Sequence, residues 1–188
     1  MRVSDAIASR RSVRAFLDRP VPEAVLRRVI ARAARAPSGG NLQPWRIYVL
    51  TGVPLAELKA RMRERLAADP SPDAPEYSIY PEHLWEPYRT QRFRVGEMMY
   101  AELGIAREHR GARIARFHEN YNFFGAPAGL FCYIDRRMGP PQWSDLGMYL
   151  QNVMLLLREE GLDSCPQECW STYNRVVAEM LSPPADQE

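Results

Sequence analysis

"RRSVRAF", residues 10 to 16, places three arginines and a hydroxyl in seven positions, between two segments of helical periodicity. That much local charge admits three readings: a solvated basic turn, a nucleic-acid contact, or a cradle for a small phosphate. The formal net charge of +2 at pH 7 is too weak to indicate a nucleic-acid-binding surface over the whole molecule. Residues 1 to 36 nonetheless carry nine arginines against Asp5, Asp18 and Glu23. So local an excess suits either a nucleic-acid face or one buried anionic ligand.

The class of protein follows from length and composition. With 188 residues, 46% of them hydrophobic, the chain can bury a sizeable core and is expected to form one domain over residues 1–188. No apolar run approaches the roughly 18 residues that span a bilayer. The N-terminus "MRVSDAIASRR" lacks the apolar stretch of a signal peptide, so the expectation is a soluble, cytoplasmic protein with no membrane partner. Cys132, Cys165 and Cys169 are odd in number and too sparse for a disulfide framework, in keeping with a reducing compartment.

Outward from the opening stretch, Ser4 is placed to cap a short helix carrying Ile7. Pro22 and Glu23 open a second helix, in which Val25, Val29, Ile30 and Ala33 recur at helical spacing up to Pro37. "WRIYVL", 45 to 50, and "GLFCYID", 129 to 135, read as strands. Helices are expected over "PLAELKARMRERLAA" (54–68), "RFRVGEMMYAELGI" (92–105) and "REHRGARIARFHENY" (107–121). Four prolines between Asp69 and Pro81 rule out regular structure there. Tyr77, Tyr80, Trp85, Tyr88 and Phe93 in and after that excursion suit a cover over a binding site. Residues 144 to 160 form the most apolar helix, whose Leu146 to Leu157 run must face a core or another subunit.

A second stretch, "APSGGNLQPW" (36–45), combines two glycines with Ser38, Asn41 and Gln43 as donors and acceptors. It matches neither the phosphate loop of nucleotide hydrolases nor the glycine pattern of dinucleotide folds. Alone, it reads equally well as a structural turn or a ligand-facing loop.

Together, "RRSVRAF", "PSGGNLQPW" and "GLDSCPQE" (161–168, after a long apolar helix) resemble the flavin-dependent nitroreductase family over about residues 3 to 181. The resemblance implies an α+β fold, a mixed central sheet flanked by helices, assembled as an obligate-type homodimer with shared flavin sites. It implies FMN as cofactor and NADH or NADPH as co-substrate. Arg10, Arg11 and Ser12 are implied to hold the FMN phosphate and ribityl chain, and Arg14 to lie near the pyrimidine edge of the ring. Pro37, Ser38, Gly39 and Asn41 are implied to reach the flavin of the partner subunit. Gln167, Glu168 and Cys169 are implied to offer backbone groups near the flavin N5. Several guanidinium forks around a partly dehydrated phosphate then account for the opening stretch.

The expected activity is hydride transfer from NAD(P)H through the flavin to a nitroaromatic or quinone-like acceptor, by a ping-pong route with no obligatory side-chain acid or base. Plainer roles suffice for other conspicuous residues. Cys165 and Cys169 lack the ligand set of a metal site, and no metal is expected. His83, His109 and His118 lie scattered in polar segments, Phe123 and Phe124 suit a core with a pocket-lining role left open by "NFFGAP" before a strand, and a backbone group can satisfy Asn152. Two other classes remain: an FMN store or sensor without fast turnover, and a basic nucleic-acid-binding regulator, which leaves the second stretch unexplained. Within the enzymes, turnover of halogenated phenols or of the flavin itself is the nearest alternative. Family members continue beyond "YNRVVAEMLSPPADQE" (173–188) into a further strand, a phosphate-holding cation and a tail that wraps the partner. The expectation is therefore that those parts are missing from these 188 residues.

Overall fold

Strand β1 (Arg46–Thr51) pairs antiparallel with β2 (Ala128–Tyr133), in register from Arg46 opposite Tyr133 to Thr51 opposite Ala128. The ribbon stands at the centre of a computed structural model that describes residues Met1–Glu188. Alternation along the strands feeds two cores, one on each face. Leu50, Phe131 and Tyr133 join Leu55, Leu58, Met62, Tyr121, Phe123, Trp170, Tyr173, Val176 and Val177. On the other face, Ile47, Leu130 and Cys132 join Val29, Ala33, Trp45, Ile134, Leu146, Tyr149 and Val153. Gly129 is required where the first core meets the ribbon, because a Cβ there would lie 2.8 Å from the Phe123 ring.

Seven helices surround the ribbon: α1 (Val3–Ser9), α2 (Glu23–Ala33), α3 (Gly52–Ala68), α4 (Tyr88–Glu102), α5 (Arg110–His118), α6 (Pro140–Glu159) and α7 (Asn174–Leu181). Helices α1 and α2 pack on α6, while α3 and α7 pack on each other under the first core. Trp45 stacks on Tyr149 of α6 with ring centroids 4.9 Å apart. Short 3-10 turns at Gly39–Asn41, Glu119–Gly125 and Cys169–Tyr173 complete the order.

Three differences from the sequence reading have physical causes. Ser4 lies inside α1 rather than capping it, and the Asp5 carboxylate instead accepts the Arg2 backbone N–H at 3.2 Å, closing the first turn. Helix α6 begins at Pro140, four residues before the apolar run, because Gly139 caps it with help from the Gln142 side chain and proline fits the first turn. The sheet is narrower than the mixed sheet expected. Parallel pairing is confined to the bridge between Ser12 and Ser164, and a second isolated bridge sets Gln187 antiparallel to Asp135.

Much apolar surface is left open. The accessible area is 12103 Å², against about 9,200 Å² for a folded monomer of this mass. Helix α4 buries none of its residues and exposes Tyr88, Phe93, Val95 and Met98. Met148 on α6 is also exposed, and Leu155 and Leu156 are only half-buried. No helix is long and apolar enough to cross a membrane.

Candidate functional site

The opening stretch runs from the end of α1 along the edge of a cleft of about 840 Å³. Its path is fixed at two points: Val13 N–H donates to the Ser164 carbonyl at 3.1 Å, and Phe16 N–H donates to the Phe124 carbonyl at 3.1 Å. The first of these bonds brings together stretches 10–16 and 161–168, which are about 150 residues apart in sequence. Val13, Ala15 and Phe16 line the cleft with Cys165, Gln167, Glu168, Leu130 and Met154.

Arg10, Arg11, Ser12 and Arg14 themselves are not among the residues that line this cleft. Arg11 and Arg14 are exposed and Arg10 and Ser12 half-buried. Arg14 donates to the Ser12 carbonyl at 3.3 Å. None of Arg10, Arg11 and Arg14 forms an ion pair, although twelve ion pairs occur elsewhere in the chain.

Stretch 161–168 turns its backbone donors outward. The N–H groups of Gln167 and Glu168 donate to no other group of the chain. The Gln167 side chain is fixed, donating to Asn120 at 3.0 Å and 3.1 Å and accepting from the Trp170 indole at 3.2 Å. Glu168 accepts from the Tyr77 hydroxyl at 3.0 Å. Burial and the Glu168 charge raise the Tyr77 phenol, so it stays a neutral donor. Burial pushes the Cys169 thiol up to about 12, which leaves it protonated near neutrality. The Cys169 carbonyl is taken by the hydroxyls of Thr172, at 2.6 Å, and Tyr121, at 3.4 Å.

The second stretch is elsewhere. Pro37, Gly39 and Asn41 are exposed, Ser38 is half-buried, and none of the four lines the cleft of its own chain. The loop is nevertheless held firmly. Gly39 N–H donates to the buried Asp145 carboxylate at 3.2 Å, and Ser38 Oγ accepts from Gln43 N–H at 2.9 Å. Gly40 and Asn41 adopt φ of 57°, a left-handed turn suited to glycine and asparagine that aims the loop away from the body.

Reading the sequence missed three groups here. Asp145 carries no local signal of its role, because its partner Gly39 is more than a hundred residues distant. Arg116 sat in a charge-rich helical segment and gave no sign of its contact with the Arg14 carbonyl at 2.8 Å. Ser164 belongs to the third stretch, yet its Oγ, like Arg116 Nε, is buried with no partner. The cleft itself holds the orphaned Ser164 Oγ and the two free backbone donors among apolar walls, with the unpaired Arg14 and Arg116 beside it, an arrangement suited to an anionic, acceptor-bearing ligand with an apolar body.

That fold and site define a flavoprotein architecture, and a family model confirms it: the chain belongs to the nitroreductase family, matched over residues 7–188. It is 39% identical over 187 residues to the chloronitrobenzene nitroreductase of Comamonas testosteroni, covering 98% of this chain and 82% of that one. Among solved structures it is similar to the FMN and NADPH-dependent nitroreductase NfnB from sphigopyxis sp. strain HMH, with 52% identity and a TM-score of 0.95 over 100% of this chain and 84% of the other. The FMN-dependent NfnB of Mycobacterium smegmatis, solved in complex with NADPH, gives 28% identity and a TM-score of 0.92 over 99% and 83%.

Proposed function

We propose that the chain is an FMN-dependent oxidoreductase that passes hydride from NADH or NADPH to a small nitroaromatic or quinone-like acceptor in a ping-pong cycle. One observation carries the reading: the Val13–Ser164 pairing sets the arginine-rich stretch and the free N–H groups of Gln167 and Glu168 along one cleft. The orphaned Ser164 Oγ and Arg116 Nε support a fit to FMN, since an anionic, acceptor-rich ligand would satisfy both.

In this reading Arg10, Arg11 and Ser12 hold the phosphate and ribityl chain through charge-assisted bonds. Arg14 faces the pyrimidine edge and offsets negative charge there, while the Gln167 and Glu168 N–H groups orient the N5 region. When bound, FMN supplies the hydride chemistry at its N5. The chain's share is to leave one ring face open, exclude water with apolar groups such as Phe16 and Met154, and stack each substrate in turn. Of the aromatics expected to cover the site, Tyr77 lines the cleft and can supply stacking, whereas Tyr80 and Tyr88 line a separate hollow and Trp85 packs on Tyr88.

Pro37, Ser38, Gly39 and Asn41 complete the flavin site of a partner copy. Their place outside their own chain's cleft supports this, as do the excess of open surface and the exposed apolar residues of α4 and α6. A compartment inside the cell suits the free cysteines.

Absorbance under anaerobic conditions tests the reading. The purified protein should be yellow, lose its flavin band on addition of NADH or NADPH, and regain it with a nitroaromatic. Double-reciprocal plots should be parallel, because both substrates use one face in turn. A protein that stays colourless when offered FMN refutes the assignment, and a yellow protein that neither nicotinamide bleaches is a store or sensor instead.

A further inference from the structure

Arg116 lies in the last turn of α5 beside Phe124, a residue that lines the cleft, and nothing in the three sequence stretches called for it. Its guanidinium lies 5.0 Å from the Phe124 ring centroid and donates to the Arg14 carbonyl at 2.8 Å. Phe124 is itself tied to the opening stretch through its carbonyl, which Phe16 N–H reaches. Phe123 and Phe124 hold φ of 51° and 52° to make this arrangement. Left-handed backbone at two bulky residues is unfavourable and persists only where the surroundings enforce it.

Charge around this group is unbalanced. Arg113, three residues earlier on the same helix, is paired with both oxygens of Glu97 at 2.6 Å and 3.2 Å. Arg116 has no carboxylate partner, its Nε is buried and unbonded, and Arg14 beside it is unpaired too. Both cations act on the Cys165 thiol, which burial pushes up and they draw back down. Arg116 therefore lies with Arg14, the residue proposed for the pyrimidine edge, and near the cleft-lining Cys165. Neither cation is offset by a carboxylate of the chain, so a bound anion nearby would meet two uncompensated charges.

We propose that Arg116 is a second cation beside Arg14 at the ring end of the flavin site, and that its charge favours reduced over oxidised FMN. The inference rests on the FMN reading above. Hydride transfer from the nicotinamide leaves oxidised nicotinamide and reduced FMN, which carries one more negative charge than the oxidised form. A fixed cation near the ring therefore stabilises the reduced state more. A purely structural staple, by contrast, would support both states alike.

The two roles separate in Arg116→Gln, titrated with oxidised FMN and, anaerobically, with reduced FMN. The charge role predicts that affinity for reduced FMN falls about tenfold further than affinity for oxidised FMN, equivalent to a midpoint potential about 30 mV more negative. Equal losses for the two redox states, or no loss for either, overturn the proposal. If Arg116→Gln does not fold, Arg116→His keeps a flat ring against Phe124 and is neutral at about pH 8. The same tenfold difference is expected there, and an unchanged ratio overturns the proposal. A wild-type chain that binds neither form of FMN overturns the functional reading as well, whereas normal wild-type binding with an unchanged ratio in the variants overturns this inference alone.

Discussion

Two populations of arginine share this molecule. Arg28 and Arg32 on α2 reach Glu160 and Glu159 at the end of α6, Arg113 grips Glu97, and Arg137 closes on Asp135. The first three pairs link elements of the fold, and the last closes a turn. Arg10, Arg11, Arg14 and Arg116 have no carboxylate, and they gather where stretch 10–16 meets stretch 161–168. Residue type and solvent contact do not separate the groups, since Arg28 is about as open as many unpaired arginines, with 47% of its side chain exposed. What separates them is whether the chain supplies the anion. The paired set is complete as folded; in the proposed function, the cluster of unpaired arginines at this junction is completed by a ligand.

The sharpest way to break that contrast is a charge reversal in the unpaired set. Arg11→Glu removes one charge-assisted bond and adds a repulsion, worth about 3 kcal/mol together, or roughly a hundredfold in FMN affinity. Flavin per subunit after gel filtration should fall to near zero while the elution volume stays put. Full occupancy would mean that Arg11 is merely a solvated residue.

Acid separates the populations next. Arg137 holds the Asp135 carboxyl well below the usual range, Arg113 does the same for Glu97, and Arg28 for Glu160. A carboxyl lowered by folding contributes stability that is complete above its unfolded pKa, near 4, and is lost as pH falls through the folded value. The fold should therefore hold down to about pH 4 and weaken below it. The ligand of the unpaired set behaves differently, because a phosphate monoester gains a proton near pH 6. FMN affinity should drop several-fold between about pH 7 and 5 with circular dichroism unchanged. Parallel loss of flavin and fold would remove the distinction.

A mixed-dimer experiment asks whether the unpaired set is completed across two copies. Combined Arg11→Glu and Asn41→Ala chains should regain roughly a quarter of the wild-type FMN sites under random exchange, since each mixed dimer has one intact site. No recovery after proven exchange would place the whole site within one chain. The smallest effect is expected in the paired set. Arg28→Gln should leave FMN affinity unchanged and lower the melting temperature by under about 2 °C, as an exposed ion pair contributes little.

Local pattern and long-range contact explain what the sequence revealed and what it hid. β-branched and aromatic runs announced β1 and β2 to within a residue or two at each end. Asn152 found the backbone acceptor it needed, the Ala33 carbonyl at 3.4 Å, and Phe123 and Phe124 are core residues. Stretches 10–16 and 161–168 were legible as motifs, and the Val13–Ser164 bond joins them. Arg116 was hidden because its significance depends on Arg14, 102 positions away. Asp145 was hidden in the same way by its bond to Gly39, 106 positions away. Sheet width was also beyond local pattern, since isolated bridges such as Ser12–Ser164 leave no run of alternation to read.

In the proposed function, the unpaired arginines of the opening stretch hold a phosphate. Titration of the flavin-free protein with FMN and with riboflavin, which is the same ring and chain without the phosphate, tests it most directly. FMN should bind at least about a hundredfold more tightly than riboflavin, and Arg11→Glu should abolish most of that difference by weakening FMN alone. Equal affinity of the wild-type protein for the two flavins would contradict the account.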